Sequence, residues 1–330
     1  MMSFSYIISP HIRNPLIGGS GEYGMSRKCG RALRGLSMPE FRDLYGTEAK
    51  CARALARQRW PDGFRCARCE GRRHSVFERG NRTYWQCSGC RHQTTVISGT
   101  IFQGTKLPLT GWFLAMHLLT QAKNNIAALE LARHLGVSYK TAWTVKHKLL
   151  HVMMQQENKR VLTGHVEIAP MHFQRDRARA ATAGFIAAVQ ADEARQPRYI
   201  KLEPCEPTRS AVSEWISTNC RDAESVRCSA IAPGAKRTRP EDRLRRAIER
   251  RAQRTDVRWI NSVVGSLKSG IASIYRGIDH NKYGRRYLAE AQYRFNRRNA
   301  AGCGVTQLAA AAIRTDPCSL PRLKAAEADP

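Results

Sequence analysis

Four cysteines have the spacing of a metal site. Cys66-Ala-Arg-Cys69 is followed, after seventeen residues, by Cys87-Ser-Gly-Cys90. A Cys-x-x-Cys pair turns tightly enough to aim two sulfurs at one point. Two such pairs complete a tetrahedron of thiolates, the coordination that structural Zn²⁺ takes. The alternatives are two disulfides or four unrelated thiols. The repeated spacing favours zinc, and so does the absence of a long apolar stretch in the first 25 residues that could serve as a secretory signal. Seven other cysteines (Cys29, Cys51, Cys205, Cys220, Cys228, Cys303 and Cys318) are scattered, which suits reduced thiols. Between the pairs, Val76, Phe77, Tyr84 and Trp85 flank a Gly80-Asn81 turn signal. That pattern predicts a short hairpin of the zinc-ribbon kind.

The second cluster with chemical meaning runs from Ala128 to Val145. Ala132 is small where two helices would cross, Gly136 supplies the positive φ of a turn, and Ser138 can cap a following helix. Leu131, Leu135, Val137, Ala142 and Val145 fall where a helix-turn-helix buries its pair. An ordinary helical hairpin has much the same pattern. If the unit binds DNA, Tyr139, Lys140, Thr141 and Thr144 lie near the start of the recognition helix, with Lys146 and Lys148 further along.

The charge balance supports a polyanionic partner. The 330 residues carry 55 Lys and Arg against 27 Asp and Glu, a net charge of +28. Nucleic acid is the first partner such a balance suggests. No apolar run approaches the roughly 20 residues needed to span a bilayer.

The remaining chain must position these groups. Residues 1–37 are Gly-, Ser- and Arg-rich and predict a disordered extension; residues 38–58 predict one helix. Arg91 to Thr100 reads as the ribbon's last strand, and Leu107 to Ala122 as an apolar helix with Trp112, Phe113, Met116, Leu118 and Leu119 inward. Val161–Ile168, Gly184–Gln190 and Arg198–Glu203 read as strands, Arg209–Cys220 as a helix and Ser225–Cys228 as a fourth strand. Residues 231–256 are basic and polar, and helices are predicted at Trp259–Tyr275 and Tyr283–Asn296. This α/β pattern is compatible with an RNase H-like sheet.

Several motifs occur in one order: Trp60-Pro-Asp-Gly-Phe64, the two cysteine pairs, Gln93-Thr94-Thr95, Gly99-Thr100-Ile101-Phe102, Leu107-Pro108-Leu109, the helix-turn-helix, Leu162 to Glu167, Tyr287 to Glu290, and Tyr293 to Arg298. Over roughly residues 38–300 the chain resembles zinc-ribbon insertion-sequence transposases of the ISXO type. The resemblance implies an RNase H-like domain that holds two Mg²⁺ ions. Two Asp on adjacent strands and an Asn or Glu on a later helix serve as ligands, with a Lys seven residues on. Asn261 matches the third ligand and Lys268 the lysine. Ala169 stands at the first Asp position and Ser229 at the second, so two carboxylates are replaced. Glu167 lies two residues before Ala169, on the same strand face, and could reach a metal. Asp176 and Asp192 are acids in turns without a place in the family pattern.

The expected architecture is therefore a multidomain α+β or α/β chain: an extension (1–37), a helix with the zinc ribbon (38–106), a helix-turn-helix region (107–158), an RNase H-like domain (159–300) and a tail (301–330). The implied function is that of a transposase, catalytically impaired, which binds the terminal repeats of an insertion sequence in double-stranded DNA. The resemblance also implies a homo-oligomer when functional, and a cytoplasmic, nucleoid-associated bacterial protein. The competing readings are a non-catalytic DNA-binding regulator derived from a transposase and, more remotely, a zinc-ribbon transcription factor.

Overall fold

The computed structural model describes residues 35–80, 82–121, 125–172, 184–193, 196–205, 208–228, 259–260, 262–266, 269, 280–298 and 304–325. Residues 1–34 of the expected extension, the basic stretch 231–256, Asp176, Ser229, Asn261 and Lys268 lie outside them.

Two helices open the described chain where the sequence predicts one. α1 (Met38–Tyr45) starts in a capping box: Ser37 Oγ accepts the Glu40 N–H, and the Glu40 carboxylate accepts the Ser37 N–H at 2.7 Å. α2 (Glu48–Arg59) has its own cap, with Thr47 Oγ1 accepting the Lys50 N–H at 3.3 Å. A side chain that satisfies a new helix start competes with continuation of the old one, so the expected single helix is broken at Gly46-Thr47. Cys51 packs in the core, as its place in the pattern suggests, and burial pushes its thiol up to about 12.

The ribbon follows as an antiparallel sheet of β1 (His74–Arg79), β2 (Arg82–Cys87) and β3 (Gln93–Thr95), in that order. The expected strand over 91–100 is corrected: only three residues pair. Ser98 Oγ accepts the Thr95 N–H at 3.0 Å and Gly99 turns with φ +71°, which diverts the backbone from the ladder.

α3 (Leu109–Gln121) begins after Pro108 rather than at Leu107. Its first N–H groups, those of Leu109 and Thr110, are accepted by the Glu48 carboxylate at 2.9 and 3.2 Å. α4 (Ala128–Leu135) ends at Gly136, which has φ +63° as the sequence requires. α5 (Tyr139–Asn158) starts on Ser138, whose Oγ accepts the Thr141 N–H.

A second sheet contains β4 (Thr163–His172), β5 (Gly184–Ala191), β6 (Pro197–Pro204) and β7 (Asp222–Cys228) in the order β6-β5-β4-β7. The first three pair antiparallel, and β7 returns parallel to β4 through α6 (Arg209–Asn219). β4 extends four residues past the predicted end at Ile168. Pro170 lies beyond the last described β4–β7 pair, Ile168 with Cys228. Val166, Ile168, Ile186 and Ala188 face Val212 and Trp215 of α6, while Ala169, Ala187 and Val189 face the helices on the other side.

On that second side α7 (His280–Asn296) lies along α5. Trp143 meets Tyr283 near one end; Glu157 meets Asn296 at the other, so the two helices run parallel. α7 also closes the free edge of β6. Asn296 accepts the Ile200 N–H at 2.7 Å and donates to the Ile200 carbonyl at 2.9 Å, while Gln292 accepts the Leu202 N–H at 3.0 Å. Side-chain amides thus stand in for a neighbouring strand. This places Gln292 and Asn296 of the Tyr287–Arg298 segment in a structural role. α8 (Gly304–Ala312) and α9 (Leu320–Lys324) complete the helical layer. One apolar core runs from Phe41 to Leu323 and includes residues of α1 to α3, α5, the second sheet and α7, so no break in it falls at the expected boundary of 158 and 159.

Candidate metal centre and nucleic-acid face

The two cysteine turns repeat one backbone pattern. Glu70 N–H donates to the Cys66 carbonyl at 2.9 Å, and Arg91 N–H to the Cys87 carbonyl at 3.0 Å. Cys66 N–H donates to the Gly71 carbonyl and Cys87 N–H to the His92 carbonyl, both at 3.0 Å. The residue after each second cysteine, Glu70 or Arg91, takes a left-handed φ of 59° or 58°. Neither is a glycine, so these turns give no glycine signal in the sequence.

The turns bring the four predicted ligands together. Cys66 and Cys90 sulfurs are 3.6 Å apart, those of Cys69 and Cys87 are 3.5 Å apart, and all four lie within 4.8 Å of one another. A zinc tetrahedron with bonds near 2.3 Å has sulfur–sulfur edges of about 3.8 Å, so the donor set fits Zn²⁺. The Cys90 backbone N–H is the chief cause pulling the Cys87 thiol down to about 6, and the Arg68 N–H lowers that of Cys66. Both favour the thiolate that binds metal, whereas Cys69, despite the Gly71 N–H that lowers it, is pushed up to about 12 by sharing hydrogen bonds with the Cys90 and Cys87 sulfurs.

The ribbon's outer surface is strongly cationic. Residues 65–91 contain seven arginines and two glutamates, and all seven arginines are exposed. The cross-strand pair Phe77 and Tyr84 stacks at 5.6 Å with a 12° tilt, and the Arg79 guanidinium lies 5.7 Å from each ring. The local density of these arginines in the sequence is the signal that marks this surface.

The helix-turn-helix residues divide into two sets. Tyr139 is 56% exposed and Lys140 is exposed, both at the start of α5. Thr141 is half-buried there, and Thr144 turns its hydroxyl back to the Lys140 carbonyl at 2.8 Å. Arg133, which the sequence reading omitted, is exposed at the end of α4. Lys146 and Lys148, expected further along the DNA face, are not on it. Lys146 is 1% exposed and donates to the Ile126 carbonyl; burial lowers its pKa, opposed by nearby Glu290. Lys148 donates to the Ile101 carbonyl at 3.0 Å, with its ammonium 6.0 Å from the Trp112 ring. α5 is packed on several sides, so lysines beyond its first turns serve as ties within the fold.

The sheet gathers the neighbourhood of the other predicted site without supplying its acids. Ala169 is 2% exposed in the apolar core, on the face that also carries Glu167. Glu167 accepts the Ile260 N–H at 3.1 Å, so that carboxylate is tied to the helical residues beside position 261. Cys228, which precedes position 229, is register partner of Ile168, which precedes Ala169. The described neighbours of all three expected positions therefore converge. Asp192, in the β5–β6 turn, accepts the Gln196 N–H at 2.8 Å. Among the described residues that could hold a metal, the cysteines form the one group of three or more ligating side chains.

Comparison with known proteins adds to this geometry. Residues 46–93 match the family model of a transposase zinc-ribbon domain, and residues 235–296 match that of an ISXO2-like transposase domain. A stretch of 110 residues is 30% identical to an uncharacterised protein in the transposable element ISH50 of Halobacterium salinarum, spanning 32% of this chain and 36% of that relative. No solved structure matches. Among the described residues, no helix is long and apolar enough to cross a membrane. Two stretches of the chain are thus similar to transposase domains, a zinc ribbon in front and an ISXO2-like domain behind.

Proposed function

We propose that this chain binds double-stranded DNA through the ribbon and the start of α5, and that its strand-cleaving chemistry is impaired. The cationic, aromatic ribbon surface would grip phosphates, and Tyr139, Lys140 and Thr141 would enter the major groove. The target would be the terminal repeats of an insertion sequence, bound in the bacterial nucleoid by a homo-oligomer. The sheet order β6-β5-β4-β7, with one parallel return through a helix, supports an RNase H-like reading of the second domain.

The observation that carries the impairment is Ala169. A two-metal site needs hard oxygen ligands, and a buried methyl group offers none. Ser229 would add a neutral hydroxyl where a carboxylate belongs, and Glu167 is already engaged with Ile260. Asn261 and Lys268 remain as the retained pair. The residues present do not fit a pair of catalytic Mg²⁺ ions. Structural Zn²⁺ fits the cysteines.

The test is to incubate the protein with a duplex bearing the element's ends and Mg²⁺ or Mn²⁺. Binding without 3′-end nicks is expected. Nicks that vanish in Glu167→Gln would overturn the impairment. A duplex affinity unchanged by Lys140→Ala would count against the recognition helix.

A further inference from the structure

A corner far from the recognition surface also collects cations. It lies just beyond the C-terminal end of α5, where β6 and the end of α7 meet it. The Arg160 guanidinium sits 4.1 Å from the Tyr199 ring centroid, and that of Arg198 lies 5.8 Å from the same ring. Lys159, Arg198 and Arg298 are exposed. Arg298 is fixed in place by donating to the Arg198 and Pro197 carbonyls, and it lies over Phe295 at 3.7 Å. The array is thus anchored by backbone and ring contacts, which lowers the entropy lost when an anion binds.

Among the described residues little acid opposes it. Glu157 is 1% exposed and already engaged: it accepts from Asn296 at 2.6 Å, Gln292 at 3.3 Å and Arg297, and Arg160 lies 3.7 Å away. In the turn before β6, Asp192 holds the Gln196 N–H, and Glu193 is the remaining acid. The Tyr199 hydroxyl is held below its ordinary pKa, chiefly by hydrogen bonding from Arg198, as expected beside two guanidinium groups.

We propose that Lys159, Arg160, Arg198, Tyr199 and Arg298 form a second DNA surface, which holds a duplex by its phosphates while the start of α5 holds another. The inference rests on the reading of that helix as DNA-binding. The two surfaces lie at opposite ends of a helix of 20 residues, about 30 Å apart at 1.5 Å per residue. The guanidinium fork matches phosphate oxygens, and with five N–H donors a guanidinium that already holds a carbonyl or the Tyr199 hydroxyl has others for phosphate. None of the described helices begins at this corner, so its contacts are to backbone and do not read sequence.

A capture experiment tests it. A duplex carrying the element's ends is fixed to beads, loaded with protein, and offered a second, fluorescent duplex of unrelated sequence. Wild type should retain the second duplex. The double variant Lys159→Glu/Arg198→Glu should lose at least about tenfold of that capture, with bead-duplex affinity within about twofold. Loss of two phosphate contacts should also reduce the slope of log affinity against log salt for the unrelated duplex by about 1.8. Unchanged capture, or equal loss for both duplexes, overturns the proposal. Affinity for the unrelated duplex is measured on free protein too. Should the recognition helix fail to hold the bead duplex, a weakened free affinity in the variant still supports the corner, and an unchanged one overturns it. Both substituted residues are exposed and outside the Glu157 network, and circular dichroism checks their folding.

Discussion

The ribbon's metal centre and the face of the second sheet differ in what brings their groups together. In the ribbon, two turns with the same hydrogen bonds aim four sulfurs at one point within 25 residues of chain. On the sheet, a strand pairing joins Ile168 to Cys228 and a helical segment docks Ile260 on Glu167, so only the described neighbours of the expected positions are gathered. The ribbon has all its ligands. The sheet has a frame that includes the Glu167–Ile260 bond, with an alanine where the proposed reading expects the first Asp. The frame persists because it is also the core: Ala169 lies in the same apolar cluster that joins α5 and α7. A polar side chain can be exchanged in such a packed sheet without unfolding it, whereas a small ribbon has little core beyond Phe64 and its cysteines.

That contrast can be broken most decisively in the ribbon. Cys87→Ser should abolish zinc binding and unfold residues 64–95, since structural zinc supplies on the order of 10 kcal/mol to such modules. Atomic emission should read no bound zinc, while the helical signal in circular dichroism persists; a collapse of both would merge the two regions. Glu157→Ala should be the largest single loss on the sheet side. It strands Arg297 and the amides of Gln292 and Asn296, at a cost of about 3–5 kcal/mol in chemical denaturation, with zinc content unchanged.

Ala169→Asp sharpens the comparison from the other direction. A carboxylate at a position 2% exposed should destabilise the fold by about 3 kcal/mol without metal. If the frame still defines a cation site, Mn²⁺ should restore part of the loss in the variant and none in wild type; no difference between them would show that more than the carboxylate is missing.

Acid should separate the regions by their titrating groups. Burial holds His147 down at about 3 and His151 at about 4, helped in each case by the Arg286 charge. Both are neutral in the folded chain and bind protons more readily once unfolded. Their contribution is complete above the ordinary histidine value near 6.5 and falls as pH drops below it, by about 2 kcal/mol for each histidine between pH 7 and 5. Thermal melts of His147→Gln should show a weaker pH dependence in that window. The smallest effect expected is Arg91→Gly, which relieves a left-handed φ of 58° and should retain zinc while stabilising the ribbon by up to about 1 kcal/mol.

Much of the local structure was legible. The Ser138 cap, the Gly136 turn and the zinc spacing each depend on residues a few positions apart, and the structure has all of them as read. The break at Gly46-Thr47 and the end of β3 were missed because a single side-chain hydrogen bond outweighed an apolar pattern. The fate of Lys146 and Lys148 was not legible, because a lysine's sequence position does not say whether another helix will cover it.

By itself the sequence determined what short-range chemistry determines: four thiols spaced for one metal, caps and turns that start and stop helices, a surplus of positive charge, and an alanine where an acid was expected. Tertiary structure decided which cations face solvent, that Glu157, Gln292 and Asn296 seal the edge of β6, and that Glu167 and Ala169 share a face with the helix carrying Ile260. The physical reason is reach. Caps and cysteine turns are settled by atoms within a few bonds, while burial of a charge or closure of a sheet edge depends on chain about a hundred residues away.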